Sequence, residues 1–116
     1  MAGPYANYSI VIVNKILSTT SESINTFHAP NVLKSGFGIL QLEIQTEGTS
    51  GLKAVIRING KNVFSYGPSS TNLTRVLQTI IPSDTLNLKN NMITGEVVAG
   101  SGTLRVRNLA IWWQAE

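Results

Sequence analysis

The chain has 116 residues, 42% hydrophobic and 13% charged, with one histidine, no cysteine and a net charge of +3. A chain of 12.5 kDa leaves about 6,200 Å² accessible once folded, from roughly 18,000 Å² unfolded, which suits one hydrophobic core and argues against disorder. Without thiols, a disulfide framework, a zinc ribbon, an iron–sulfur centre and a cysteine nucleophile are all excluded.

Helix signals are almost absent, since no segment sustains apolar residues at i, i+3, i+4 and i+7 over three turns. Strand-forming blocks recur instead near 8–17, 22–28, 37–47, 52–58, 61–66, 72–80, 91–98 and 102–113, parted by Gly, Pro, Asn and Ser. In the third block Leu40, Leu42 and Ile44 alternate with Gln41, Glu43 and Gln45. In the fourth, Leu52, Ala54, Ile56 and Ile58 alternate with Lys53, Val55 and Arg57. One polar and one apolar face is the pattern of an antiparallel sheet over a single core. Glu47–Gly51 has the length of a hairpin loop, and Asn59–Gly60 has the residues of a type I′ turn.

The last block changes phase. Leu104 and Val106 share a face, but strict alternation would next bury Asn108. A bulge near Arg107–Asn108 instead turns Leu109, Ile111 and Trp113 inward, with Phe37 as a second core aromatic, and leaves Trp112 outside. The fold expected is all-β: an antiparallel β-sandwich of jelly-roll type with about eight strands, in a single domain over 1–116.

Two stretches carry a resemblance. Val55-Ile-Arg-Ile-Asn-Gly-Lys-Asn-Val-Phe64 and Ile80-Ile-Pro-Ser-Asp-Thr-Leu-Asn-Leu-Lys-Asn-Asn-Met-Ile93 resemble the jelly-roll of galactose-binding-like domains. The Ile58-Asn59-Gly60 strand end and the Pro82 turn match. So do Leu88 and the Asn90-Asn91 turn, with Leu86 or Leu88 expected to plug the open end of the sandwich. The chain as a whole is short, free of cysteine, poor in charge and ends on a strand. In that style it resembles small β-sandwich virion proteins of tailed phages, the capsid decoration, fibre-head and spike-head types. That likeness implies a homotrimer, other virion proteins as partners, and location in a virion assembled in the host cytoplasm. The Met-Ala-Gly-Pro-Tyr start shows no signal peptide, and no apolar run approaches a membrane span.

Candidate chemistry is sparse. Glu43 and Glu47 would lie about 13 Å apart along a strand, beyond the separation of even inverting glycosidase carboxylates. His28 has no acid or nucleophile near it in sequence, so a structural or exposed role is expected. No nucleophile elbow, phosphate loop or paired metal-binding histidine occurs. No catalytic residue, cofactor or metal ligand is assigned. Galactose-binding-like domains often hold a structural calcium, yet only Asp84, beside Ser83 and Asn87, lies in a suitable loop, where several carboxylates are usual.

Exposed aromatics with polar neighbours are the remaining candidates for a ligand or an interface: Trp112, Tyr66, Tyr5 and Tyr8, with Asn62, Asn72 and Arg75. Lys53, Arg57, Arg105 and Arg107 could form a basic stripe. The surplus of nine basic over six acidic residues is too small to favour nucleic acid. The expectation is a non-enzymatic structural or accessory module that self-associates and docks to a shell or tail. A carbohydrate-binding module is the alternative.

Overall fold

The computed structural model describes residues 5–68 and 72–116, with all their side chains except those of Tyr5 and Ile12. It contains β1 (Tyr5–Ile16), β2 (Glu22–Phe27), β3 (Gly38–Ile58), β4 (Lys61–Tyr66), β5 (Leu73–Ile81) and β6 (Asn91–Ala115). No helix occurs among the described residues.

The two longest strands organise the rest. β3 and β6 run antiparallel from Gly38 against Trp113 to Ile58 against Ile93. β1 flanks the 105–115 part of β6, and β5 flanks residues 38–46 of β3. At the other end β2 flanks residues 91–95 of β6, and β4 flanks 54–58 of β3. One continuous hydrogen-bonded sheet thus has two four-stranded halves. The first has the order β1-β6-β3-β5 and the second β2-β6-β3-β4.

The halves face each other because β3 and β6 bend together. Their register is irregular between Glu47 and Ala54. Gly48, Gly51, Gly100 and Gly102 all take positive φ there, a conformation open to glycine without a Cβ clash. The backbone amide of Leu17 donates to the Leu104 carbonyl at 3.0 Å, and that of Val97 donates to the Ser18 carbonyl at 2.7 Å. Two consecutive residues therefore bridge the two arms of the bent β6. Ser18 and Lys15 also hold Glu22 at this crossing, at 2.9 and 2.8 Å. The Lys15 and Ser18 hydrogen bonds, with the Lys15 charge, lower the Glu22 pKa from its ordinary value.

A single core fills the sandwich. Leu40, Leu42 and Ile44 from one arm of β3 join Ile56 and Ile58 from the other, with Leu104, Val106, Leu109, Ile111 and Trp113 from β6. The bulge expected near Arg107–Asn108 is present. Asn108 has φ 40°, Leu42 and Glu43 oppose Leu109 and Arg107, and Trp113 is buried. Asn59 and Gly60 also take the positive φ of a type I′ turn.

Three expectations change. The 37–47 and 52–58 blocks form one strand, as do 91–98 and 102–113, so the described residues hold six strands where about eight were expected. Glu47–Gly51 is accordingly no hairpin loop, because the ladder to β6 continues round the corner in irregular register. Phe37 is 63% exposed: it precedes β3, and its backbone amide is held by Gln114 Oε1 at 3.2 Å.

The open end is closed by loops 28–37 and 82–90. Trp113 Nε1 donates to the Pro30 carbonyl at 3.1 Å, and the Asp84 amide donates to the Lys34 carbonyl at 2.7 Å. Leu86 is the buried plug, while Leu88 is exposed. Asn91, fully buried, accepts from the Asn87 amide and Asn59 Nδ2 at 2.7 and 2.8 Å. Its own amide donates to the Asn87 and Phe27 carbonyls at 2.7 and 3.3 Å.

Three outcomes follow for stability, each read by denaturant unfolding. A Cβ on Gly100 would meet the Gly51 backbone at 2.2 Å, whereas one on Gly60 meets nothing within 4 Å. Gly100→Ala should therefore cost more than the roughly 1–2 kcal/mol of left-handed strain expected for Gly60→Ala. Asn91→Asp keeps the shape but points an acceptor at two carbonyls, so a loss of about 3 kcal/mol is expected. Glu22, with its folded pKa lowered, contributes stability above its unfolded pKa and loses it as pH falls through the folded value. Glu22→Gln should flatten the acid limb of the stability–pH curve in that window and leave neutral-pH folding intact.

Candidate functional site

The first half-sheet turns its outer surface to solvent, and its register places the apolar residues in rows. Tyr8 lies opposite Trp112, Trp112 opposite Ile39, and Ile39 opposite Ile80. Four strands thus contribute one apolar residue each to a transverse row. Tyr8 is 60% exposed, Ile80 64% and Ile39 43%; Trp112 between them is half-buried. Exposed Phe37 extends the surface beyond the row, and Ile10, 65% exposed, extends it within the sheet beside Ala110.

The row ends in polar ground. The next cross-strand set runs Ile10, Ala110, Gln41 and Gln78, and Gln78 Nε2 donates to Gln41 Oε1 at 2.8 Å. Beyond it come Asn14, Arg107, Glu43 and Val76, then Ile16, Arg105, Gln45 and Thr74. Arg105 Nη1 donates to Asn14 Oδ1 at 2.7 Å. An apolar end and a polar end therefore share one sheet face. The apolar end is shallow: Phe37, Gly38, Ile39, Ile80 and Gln114 line a depression of about 350 Å³. A smaller one of about 130 Å³ adjoins it along Ala6, Ile39 and Trp112.

Of the candidates read from sequence, only Trp112 and Tyr8 meet here. The side chain of Tyr5 lies outside the described residues. Tyr66 is on β4 in the other half-sheet, packed against the core and stacked on Phe64 with centroids 5.8 Å apart. Asn62 accepts from Arg57 Nε at 2.8 Å, and Asn72 accepts from the Gly48 amide at the corner at 3.0 Å. Arg75 stands in the inward register of β5, between Leu73 and Leu77, yet is exposed because β5 is an edge strand.

The basic stripe does not form. Lys53 and Arg57 lie on the second half-sheet while Arg105 and Arg107 lie on the first, so the fold-over separates the two pairs. Arg57 Nη1 is also paired with Glu96 at 2.5 Å. At the calcium-like loop, Lys34 Nζ lies 3.8 Å from Asp84 Oδ1 and donates to Asn87 Oδ1 at 3.0 Å, so an ammonium already serves these oxygens. Exposed His28 accepts from the Asn90 amide through Nδ1 at 3.0 Å, tying two loops together. Among the described residues no three of His, Cys, Asp and Glu gather to hold a metal.

Ile10, Ile39, Ile80 and Phe37 were not sequence candidates. The available signal was β5, where Val76 and Ile80 lie opposite in phase to Leu73, Leu77 and Ile81. A strand apolar on both sides is expected where both faces are covered, so the pattern marks a surface that partners could cover.

No family model matches the chain, and no curated protein sequence matches it. Among solved structures it is similar to part of dimeric latent PorU from Porphyromonas gingivalis, with TM-score 0.76 and 12% identity over 100% of this chain and 13% of that one. It is similar to part of BuGH86 in complex with neoagarooctaose, with TM-score 0.60 and 16% identity over 98% of this chain and 20% of that one. It is also similar to the Bacillus endospore appendage subunit of disulfide-linked pili, with TM-score 0.51 and 11% identity over 99% of this chain and 93% of that one. The chain therefore spans a small fraction of the first two proteins. No helix among the described residues is long and apolar enough to cross a membrane. At these identities the likenesses show the fold alone: an all-β, antiparallel sandwich.

Proposed function

We propose that this protein is a non-enzymatic structural or accessory module of a larger assembly, and that it docks through the outer face of its first half-sheet. The row Tyr8–Trp112–Ile39–Ile80 carries the reading. It is contiguous, apolar and rimmed by neutral amides, which is the make-up of an interface core with few charges to desolvate.

Two finer readings go with it. Counted by halves of β3 and β6, eight segments run 1-8-3-6 in one half-sheet and 2-7-4-5 in the other. We read that order as a jelly-roll winding, which it supports. The assembly we favour is a phage virion, with this chain as a capsid decoration, fibre-head or spike-head protein meeting copies of itself and a shell or tail. Its cysteine-free, charge-poor make-up supports this. The likeness to the Bacillus endospore appendages, which form disulfide-linked pili, supports a structural role, although disulfide linkage is closed to a chain without cysteine.

The carbohydrate-binding alternative rests on Tyr8 and Trp112, adjacent aromatics that could stack on a sugar. The aliphatic members of the row, Ile39 and Ile80, favour an interface, since a sugar site needs polar groups beside its aromatics to fix the hydroxyls. Two measurements separate the readings. Light scattering after size exclusion should give a mass above the monomer, lowered in the Ile39→Lys/Ile80→Lys variant. A clean wild-type monomer at high concentration overturns self-association. Glycan-array binding abolished by Trp112→Ala or Tyr8→Ala would replace the assembly reading with the carbohydrate one.

A further inference from the structure

The face is one contact surface; the strand beside it offers another. Each half-sheet has two edges, and three of the four are blunted. β5 carries Arg75 in its inward register. β2 and β4 are six residues long, each with a register shift. β2 opens on Glu22, which is held by Lys15, and β4 opens on Lys61. Inward charge, short length and bulges are the devices that keep sheet edges from pairing.

β1 differs. It is twelve residues long, its first ten carry no charge and no proline, and its own register shift, between Val11 and Asn14, leaves the register unbroken from Tyr5 to Val11. The direction of its free polar groups is also settled. The Trp112 carbonyl points at Gly38 of β3, lying 2.7 Å from where a Cβ would stand on that glycine. The Gln114 carbonyl likewise accepts from Leu33, on the same side of β6. Trp112 thus turns its backbone away from β1, and Tyr8 opposite it is a pair without mutual hydrogen bonds. The amides and carbonyls of Ala6, Tyr8 and Ile10 therefore face the open edge. Among the described residues the Tyr8 amide is met there by the neighbouring Asn7 Oδ1 at 2.9 Å, a local contact that a strand could displace.

We infer that β1 pairs antiparallel with β1 of a second copy of this chain, about a two-fold axis at Ser9. This deepens the self-association part of the proposed function and departs from the homotrimer that the virion-protein resemblance implies, because an isologous contact closes with two copies. In this register Tyr8 faces the other copy's Ile10 and the reverse, two aromatic–β-branched pairs of the kind that stabilise sheets. The two Lys15 side chains end at opposite extremes, so no like charges oppose. The four-stranded half-sheets become one eight-stranded sheet, and the two apolar rows lie on a shared surface.

The register sets the test. Ser9 would face its own copy as a pair without hydrogen bonds, with Cα atoms about 4.5 Å apart, inside the range a disulfide spans. The chain has no other cysteine to compete. Ser9→Cys should give a disulfide-linked dimer under mild oxidation, while Thr74→Cys on the β5 edge should not. In the Ile39→Lys/Ile80→Lys background, which removes the face contact, a dimer should persist. Ile10→Pro should reduce it to monomer, since the lost amide faces the open edge, and thermal unfolding checks that this variant is folded. Ile10→Lys, with the backbone intact, should do the same. A monomer in the face-variant background with no Ser9 crosslink overturns the edge contact and leaves the face reading standing. A Ser9-linked dimer with a mass indifferent to Ile39→Lys/Ile80→Lys supports the edge and overturns self-association through the face.

Discussion

Everything in this molecule hangs on the long antiparallel pair of β3 and β6, which stays hydrogen-bonded while it bends. Most sandwiches change sheets through loops, but here two strands carry the backbone ladder round the corner. The corner depends on close backbone approach: Gly100 lies against Gly51, and Gly102 against Thr49. No side chain fits between those backbones, and positive φ at all four glycines turns both chains together. Once that corner forms, the inner faces of both arms must meet, and the core is the result.

The corner also determines what the surface can do. Folding β3 and β6 in half sends residues of one strand to opposite sides of the molecule. Lys53 and Arg57 therefore part from Arg105 and Arg107, and Tyr66 parts from Trp112. Residues far apart in sequence are gathered in exchange. Tyr8, Ile39, Ile80 and Trp112 come from four strands into one row. The scarcity of charge makes this row stand out, since the neighbouring ground is glutamine and alanine. The apolar row and the uncharged first ten residues of β1 thus lie side by side.

Much of the local structure was legible in the sequence. Period-two alternation placed Leu40, Leu42 and Ile44 inward. The phase change after Val106 identified the bulge at Asn108 and with it the outward Trp112 and inward Trp113. Such features depend on a few neighbouring residues, because a side chain's direction in a strand follows from parity. Phe37 was misread because hydrophobicity alone does not say where a strand begins. The corner at Glu47–Gly51 looked like a hairpin because glycine signals a turn whether or not the ladder continues through it.

The sequence by itself thus determined the all-β class and the inward and outward faces of most strands. The tertiary structure alone decided which strands neighbour one another, and so which outward residues share a surface. Parity is a local property of the backbone. Adjacency across a sheet depends on long-range pairing, here between residues 38–58 and 93–113, and no local pattern encodes it. For that reason Trp112 could be read as exposed, while its neighbours Ile39 and Ile80 and the open edge of β1 emerged only when the strands were assembled.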